Sequence, residues 1–199
     1  ATHQYAAPIM LKYSSGSNKI YGNMLNASES EGIRSTGIGN SIINNTIYVA
    51  GQSESAIHIV DATNLKAKQN IISNNTLILK GLMQNGILDA SDGSNTITNN
   101  TIRSTWNTID YMEFTSSGNN FVSSNIIFSN GGTAGEGLVL SNAAGNNTFH
   151  NNNFTMMKQT STITDTTGNN YVNYLVYNNS FGEIKWTNES DGGFLKDMD

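Results

Sequence analysis

Apolar residues and asparagines alternate along this chain in a phrase that recurs at a nearly fixed interval. A typical copy reads Asn95-Thr-Ile-Thr-Asn-Asn100-Thr-Ile102, and related copies begin at Asn18, Asn40, Asn70, Asn120 and Asn147. The sixth residue of each copy is an asparagine, namely Asn23, Asn45, Asn75, Asn100, Asn125 and Asn152, at intervals of 22, 30, 25, 25 and 27 residues. An interval in the twenties predicts a stacked array of similar units.

The alternation within each phrase is typical of β-strands, and the asparagine pair predicts a bend between two strands. Ile42 and Ile47 flank the pair Asn44-Asn45 and lie five residues apart. An odd spacing puts two residues of one straight strand on opposite faces, so both can face inward only if the chain turns between them. Asparagine suits such a turn because it tolerates left-handed backbone angles.

A second apolar segment precedes each phrase and completes the repeating unit. These segments align on Ile33, Ile57, Ile87, Met112, Leu138 and Ile163, and a third short strand follows each asparagine pair. One such unit cannot bury its own apolar face, whereas stacked units bury a continuous column. The sequence therefore predicts an all-β parallel solenoid of about seven rungs, spaced about 4.8 Å apart, with the six asparagines stacked as an internal ladder. In the last repeat, Leu175 is expected at the ladder position.

We expect residues 1–199 to form a single β-helix domain, which is a segment of a longer protein. Residues 1–17 lead in, residues 18–181 carry the repeats, and residues 182–199 form a terminal strand and linker.

Composition narrows the classes of partner. Only 13% of the 199 residues are charged, about half the usual share, and the net charge is −5. The ten Lys and Arg form no basic patch, which argues against a nucleic-acid partner. No apolar run approaches the roughly 20 residues of a membrane span, so direct membrane insertion is not expected. There is no cysteine, which excludes disulfides and thiolate metal sites.

The repeat resembles that of right-handed parallel β-helix proteins. That superfamily includes pectate-lyase-like enzymes and the carbohydrate-binding and sugar-hydrolase module group, and the resemblance covers about residues 18–181. The tail from Tyr177 to Asn188 is similar to the ends of such domains in large archaeal surface proteins. The resemblance implies a right-handed parallel β-helix and a place at the cell surface.

Two pairs of residues are candidates for catalysis. Asp110 and Glu136 each lie two residues before an alignment point, so they are expected on adjacent rungs. Such a pair could hold a cation, share a proton, or act as acid and nucleophile of a glycosidase, or it could be a solvated strand edge. Arg34 and His58 each follow an alignment point, and the resemblance implies a lyase-type pair. Two isolated polar positions are the alternative, and we favour the unreactive alternative for both pairs.

The remaining candidates concern binding and modification. Trp106, Tyr111 and Tyr174 could stack on a sugar ring. The bend from Asp89 to Gly93 resembles a calcium loop but lacks further ligands, so a plain turn is favoured, and no other metal or cofactor is expected. Asn26 and Asn188 head Asn-X-Ser/Thr triplets outside the asparagine pairs, and are glycosylation candidates in an exported protein.

Two functions follow from these patterns. We expect a structural or adhesive module of an extracellular or cell-surface protein, able to assemble end to end, with neighbouring domains or subunits as partners. The alternative is an enzyme or binding domain for polysaccharides, acting as a lyase or glycoside hydrolase.

Overall fold

The computed structural model describes residues 7–12, 16–51, 55–62, 66–81, 85–105, 110–115, 117–129, 136–141, 147–156, 163–165, 175–177 and 185–186. Every regular element in this part of the chain is a β-strand, and the strands form three sheets in which all pairs are parallel. No helix within these ranges is long and apolar enough to span a membrane.

The three sheets are named A, B and C. Sheet A holds β1 (Ile9–Leu11), β4 (Ile33–Ser35), β7 (Ser55–Val60), β10 (Asn85–Ala90), β13 (Asp110–Thr115), β16 (Glu136–Ser141), β19 (Ile163–Asp165) and β21 (Lys185–Trp186). Sheet B holds β2 (Lys19–Tyr21), β5 (Ser41–Ile43), β8 (Ile71–Ser73), β11 (Thr96–Thr98), β14 (Phe121–Ser123), β17 (Thr148–His150) and β20 (Leu175–Tyr177). Sheet C holds β3 (Met24–Ala27), β6 (Thr46–Val49), β9 (Thr76–Leu79), β12 (Thr101–Ser104), β15 (Ile126–Ser129) and β18 (Asn153–Met156).

The chain visits sheets A, B and C in turn and then starts again, so three consecutive strands make one coil. This arrangement confirms the predicted parallel β-solenoid. The predicted alignment of Ile33, Ile57, Ile87 and Met112 is also confirmed, since these residues are register partners on neighbouring strands. The four coils from β4 to β15 surround a fully buried core, compared with the seven rungs expected.

The core is a column of apolar side chains, to which each sheet contributes at least one in every coil from β4 to β15. In the coil β10–β12 these are Ile87, Ile97 and Ile102, none of which contacts solvent. Full burial of such a side chain stabilises the fold by about 1.5–3 kcal/mol relative to exposure. Phe114 and Phe149 continue the column with an edge-to-face contact, their ring centroids 5.7 Å apart.

The corner between sheets B and C turns through a single residue with left-handed backbone angles. Asn44, Asn74, Asn99 and Asn151 have φ between 54° and 56°, and Ser124 takes the same conformation where the first asparagine is missing. Few residues other than glycine adopt these angles easily, and asparagine is one of them. The turn directs the following asparagine into the core, as the spacing of five predicted.

The inward asparagines bond to one another from coil to coil, forming what we call the BC ladder. The Oδ1 atom of Asn100 accepts from the backbone N–H of Asn75 at 3.0 Å and from its Nδ2 at 3.0 Å. The Nδ2 atom of Asn100 donates to Asn125 Oδ1 at 3.0 Å and to the carbonyl of Ile72 at 2.9 Å. The same pattern links Asn23, Asn45, Asn75, Asn100, Asn125 and Asn152. Each interior amide is thereby fully satisfied without water.

A second ladder, which we call the AB ladder, runs along the corner between sheets A and B. Asn70 donates to Asn95 Oδ1 from its backbone N–H at 2.8 Å and from its Nδ2 at 3.1 Å. Its members are Asn18, Asn40, Asn70, Asn95, Asn120 and Asn147. This ladder was not predicted, although each phrase begins with one of its members, because only the asparagine pair was interpreted as a corner.

One detail of the last repeat was predicted wrongly. Leu175 does not occupy a ladder position, because it is the register partner of Thr148 on strand β17 and lies one residue beyond the AB ladder. The last repeat was therefore misaligned against the ladder.

The corner between sheets C and A is crowded and places two successive residues against the core. A Cβ atom on Gly86 would lie 2.6 Å from the carbonyl oxygen of Tyr111 and 2.7 Å from Cγ2 of Ile102. Both Gly86 and Ile87 are buried, so the local alternation of the strand is broken there. The residue before this pair, Asn85, bonds to Glu113 on the outer face of sheet A.

Replacing one BC-ladder member tests how much the amides stabilise the fold. Asn100→Leu keeps the side-chain size but leaves Asn75, Asn125 and the carbonyl of Ile72 with unmet hydrogen-bonding groups. We expect the free energy of unfolding to fall by about 1–3 kcal/mol for each orphaned buried group. Chemical denaturation measures this loss.

The matched control is Asn99→Gly, because Asn99 is the exposed neighbour with φ of 56°. Glycine adopts this conformation readily, so the control should change stability by less than about 0.5 kcal/mol. Equal effects of the two substitutions would contradict a stabilising role for the ladder.

Candidate functional site

Three ionisable side chains meet on the outer face of sheet A. Arg34 and His58 are register partners on β4 and β7, and each follows an inward isoleucine, which directs it outward. Glu31 lies just before β4 and reaches the same face. The structure therefore brings together the predicted pair Arg34 and His58, and adds Glu31, an acid that was not predicted to join them.

The contacts within this cluster are short. Arg34 Nη1 donates to Glu31 Oε1 at 2.9 Å and to Oε2 at 3.2 Å. His58 Nδ1 lies 2.5 Å from Glu31 Oε1 and 3.1 Å from Arg34 Nη1. The three side chains are between 9% and 14% exposed, so water reaches them only in part.

The charge of Glu31 determines which nitrogen of His58 carries the proton. Burial raises the pKa of Glu31, but the hydrogen bonds and charges of His58 and Arg34 together outweigh burial and leave the pKa below its ordinary value. Glu31 is therefore a carboxylate that accepts hydrogen bonds, and His58 Nδ1 must donate to it. Arg34 Nη1 and His58 Nδ1 are both donors and cannot bond to each other. They lie close together because both bond to Glu31 Oε1.

This arrangement leaves the second imidazole nitrogen available. In neutral His58 the Nε2 atom is a hydrogen-bond acceptor, and no side chain in the described ranges bonds to it. An imidazole held by a carboxylate at Nδ1 can act as a base at Nε2. On the strand before Arg34 the register partner is Met10, and on the strand after His58 it is Leu88. Both are apolar, so the charged cluster does not extend further along this row of sheet A.

The second candidate pair, Asp110 and Glu136, lies on adjacent strands as predicted. Asp110 and Glu136 are register partners on β13 and β16. Asp110 is 9% exposed, whereas the side chain of Glu136 lies outside the described residues. A third acid, Glu113, accepts from Asn85 Nδ2 at 2.8 Å and from Thr115 Oγ1 at 3.0 Å. The chemistry proposed for Asp110 and Glu136 stays a prediction.

One predicted sugar-stacking residue is placed wrongly. Tyr111 has no solvent exposure, because it occupies the crowded corner between sheets C and A where the strand turns two successive residues inward. Trp106 and Tyr174 lie outside the described residues.

The bend from Asp89 to Gly93 does not gather ligands for a cation. Asp89 points into the core, where it accepts from Ser91 Oγ at 2.5 Å and from Asn95 Nδ2 at 2.9 Å. Asp92 lies at the surface near Lys66 and Lys68. Asp89 is thus buried, whereas the side chain of Asp92 is 43% exposed. Within the described ranges, no three His, Asp or Glu side chains are grouped to hold a metal ion.

Only one of the two glycosylation candidates lies within the described residues. Asn26 is exposed on β3, where its register partner is Tyr48 on β6. Asn188 lies outside the described residues.

No known protein family, curated protein or solved structure matches this chain.

Neutralising Glu31 tests the coupling within the cluster. At neutral pH we expect Glu31→Gln to lower the free energy of unfolding by about 1–2 kcal/mol, a modest loss because the cluster keeps some contact with water. A lowered folded-state pKa stabilises the protein above the ordinary value of 4.5 and loses this effect as the pH falls through the folded value. The difference from wild type should therefore shrink in acid.

The control is Glu29→Gln, which removes an exposed carboxylate two residues away. It should leave stability nearly unchanged at every pH. A pH-independent loss in Glu31→Gln would argue against the ionic coupling.

Asp89 should give stability the opposite dependence on pH. Burial is the main cause that raises the pKa of Asp89, so the folded state holds its proton at pH values where the unfolded chain has lost it. The contribution of this group is greatest below its ordinary value of 3.8 and is lost as the pH rises toward the folded value. Relative to Asp89→Asn, wild type should lose stability as the pH rises above the ordinary value of 3.8. Parallel pH profiles of the two proteins would contradict this assignment.

Proposed function

We propose that this chain is a structural or adhesive module of an extracellular or cell-surface protein. The observation that supports this proposal most strongly is the pair of asparagine ladders, in which the backbone N–H of each asparagine bonds to the Oδ1 atom of the asparagine in the next coil. A solenoid built in this way is stiff along its axis, and each coil adds about 4.8 Å to its length. Such an element suits a spacer that holds neighbouring domains or subunits apart.

The outer surface supports the same proposal. On sheet A, Glu31, Arg34 and His58 are bonded to one another, and Glu113 accepts hydrogen bonds from Asn85 and Thr115. Charged residues make up only 13% of the chain. The exposed Asn26 offers a glycosylation position that fits an exported protein. The resemblance of the repeat to pectate-lyase-like and archaeal surface β-helices favours the same location.

Polysaccharide binding or cleavage is the second candidate, and one observation favours it. His58 is oriented by Glu31 so that Nε2 can act as a base, and the guanidinium of Arg34 lies beside it. A base next to a cation is the combination that could remove a proton from a uronic acid residue. In this structure, however, Arg34 is already bonded to Glu31.

Removing one whole coil tests the spacer role. Deletion of residues 76–100 joins Asn75 to Thr101, which keeps the register because Thr76 and Thr101 are partners. We expect a cooperatively folded solenoid whose longest dimension, measured by small-angle scattering, is shorter by about 4.8 Å.

The control deletes residues 76–99, one residue fewer. This change shifts the strands by one position and turns core side chains outward, so it should prevent folding. If the in-register deletion also fails to fold, the coils are not interchangeable and the spacer proposal is wrong.

A panel of acidic and neutral polysaccharides separates the two candidates. The structural proposal expects neither binding nor new reducing ends nor unsaturated products. Product formation that is abolished by His58→Gln or by Asp110→Asn would establish the enzyme instead.

A further inference from the structure

Each asparagine pair at the corner between sheets B and C divides two roles between its members. The second member, such as Asn100, is buried, and its side-chain amide is bonded within the BC ladder. The first member, such as Asn99, is exposed, and no described residue bonds to its side-chain amide. The same division holds in the two preceding coils, where the exposed members are Asn74 and Asn44.

The left-handed turn by itself does not require these exposed amides. Gly22 makes the corresponding turn in the first coil with φ of 68°, and Ser124 makes it in a later coil with φ of 56°. Asn44, Asn74 and Asn99 adopt the same conformation, each with φ of 56°. Their carboxamide groups therefore serve neither the ladder nor the turn alone, and they are accessible to a reagent from outside.

A sequence motif coincides with the exposed amides. Each exposed asparagine heads an Asn-X-Thr triplet, which is the acceptor motif of N-linked glycosylation. The threonines of these triplets are Thr46, Thr76 and Thr101. The buried asparagines head no such triplet, because the residue two positions after each of them is apolar, namely Ile47, Leu77 and Ile102. The motif thus falls on the open amide of each pair and not on the bonded one.

The three triplets stack on one another. Thr46, Thr76 and Thr101 are the first residues of their sheet C strands and are register partners. All three are half-buried, and no described residue bonds to their hydroxyl groups. Strand pairing places successive triplets about 4.8 Å apart, so they form one row along the corner. We call this row the BC edge.

We propose that the BC edge carries N-linked glycans on Asn44, Asn74 and Asn99. The donor is a lipid-linked oligosaccharide pyrophosphate, used by a transferase that recognises the triplet. The anomeric carbon of the sugar forms a bond to Nδ2 while its bond to the phosphate oxygen breaks. The lipid pyrophosphate leaves with the electron pair of that bond, and Nδ2 gives up one proton. This inference rests on the proposed extracellular location and specifies how the module is modified there.

The fold tolerates a bulky group at this edge. The modified Nδ2 atoms are not ladder members, so the hydrogen bonds of Asn45, Asn75 and Asn100 stay intact. The corner between sheets B and C is also the one corner that does not border sheet A. Glycans on the BC edge therefore leave the outer face of sheet A uncovered.

Transfer to the folded protein tests the proposal directly. The protein is incubated with a purified oligosaccharyltransferase that requires only the triplet, together with its lipid-linked donor. Tryptic peptides 35–66, 69–80 and 81–103 each contain a single triplet, headed by Asn44, Asn74 and Asn99. Enzymatic removal of the glycan leaves aspartate at each modified position, which mass spectrometry identifies. We expect aspartate at these three positions and none at the ladder asparagines.

Two matched substitutions separate recognition of the triplet from general exposure. Thr76→Val keeps a β-branched side chain on the strand but removes the hydroxyl, so Asn74 should no longer be modified. Thr76→Ser keeps the hydroxyl, and Asn74 should still accept a glycan.

A gain of modification provides a further test in the coil where the row ends. Ser124→Asn combined with Ile126→Thr installs the triplet at a corner that already has φ of 56°, and both positions are exposed. We expect a glycan at position 124 in the double variant. Ser124→Asn alone is the control, because it lacks the threonine and should not be modified there.

Several outcomes would overturn the proposal. These are corner asparagines that stay unmodified in the folded protein, equal modification in Thr76→Val and Thr76→Ser, and no glycan at position 124 in the double variant. Circular dichroism provides one more, since glycosylated protein that no longer melts cooperatively would show that the edge does not tolerate the group. Each of these failures is distinct from failure of the spacer role, which the coil deletion tests without any glycan.

Discussion

The self-complementarity of the asparagine side chain is the constraint on which this solenoid depends. A buried amide must bond both through its oxygen and through its nitrogen, and an identical amide one coil away meets both needs. This requirement keeps equivalent asparagines in line from coil to coil, even where the length of the chain between them differs. The interval from Asn45 to Asn75 is 30 residues instead of 25, and the segment 61–70 between β7 and β8 absorbs the difference. Asp61 organises that segment by accepting the N–H groups of Ala67 and Asp92.

The ladders also explain why the interior accepts other polar groups. Asp89 is buried among donors, and one of these is Asn95, a member of the AB ladder. Asn120 and Asn40 bond to Ser117 and Ser35 in the same corner. A polar strip of this kind is tolerated because each member has its partners, and it leaves the aliphatic column on the other side of the core undisturbed. Burial in this strip raises the pKa of Asp89 above its ordinary value.

The sequence was informative where a pattern repeats and uninformative where a contact occurs once. The repeated pairing of Ile33, Ile57 and Ile87 could be aligned by spacing alone, and Arg34 was correctly placed beside His58 by the same alignment. Glu31 joins that pair through its side-chain conformation, which no period reveals, although its position three residues before Arg34 was a signal that could have been used. Tyr111 was expected at the surface because strict alternation was assumed, but Tyr111 and Met112 are both fully buried at the start of β13.

The sequence by itself determined the solenoid, its coil length and its left-handed asparagine corner, because each is a local preference repeated many times over. The tertiary structure alone decided which polar groups meet. It showed that the first asparagine of each phrase forms a ladder of its own, that Asp89 faces inward while Asp92 faces outward, and that Glu31 bonds to both Arg34 and His58. These outcomes depend on distances of about 3 Å between side chains far apart in the chain, and such distances are fixed only when the coils stack.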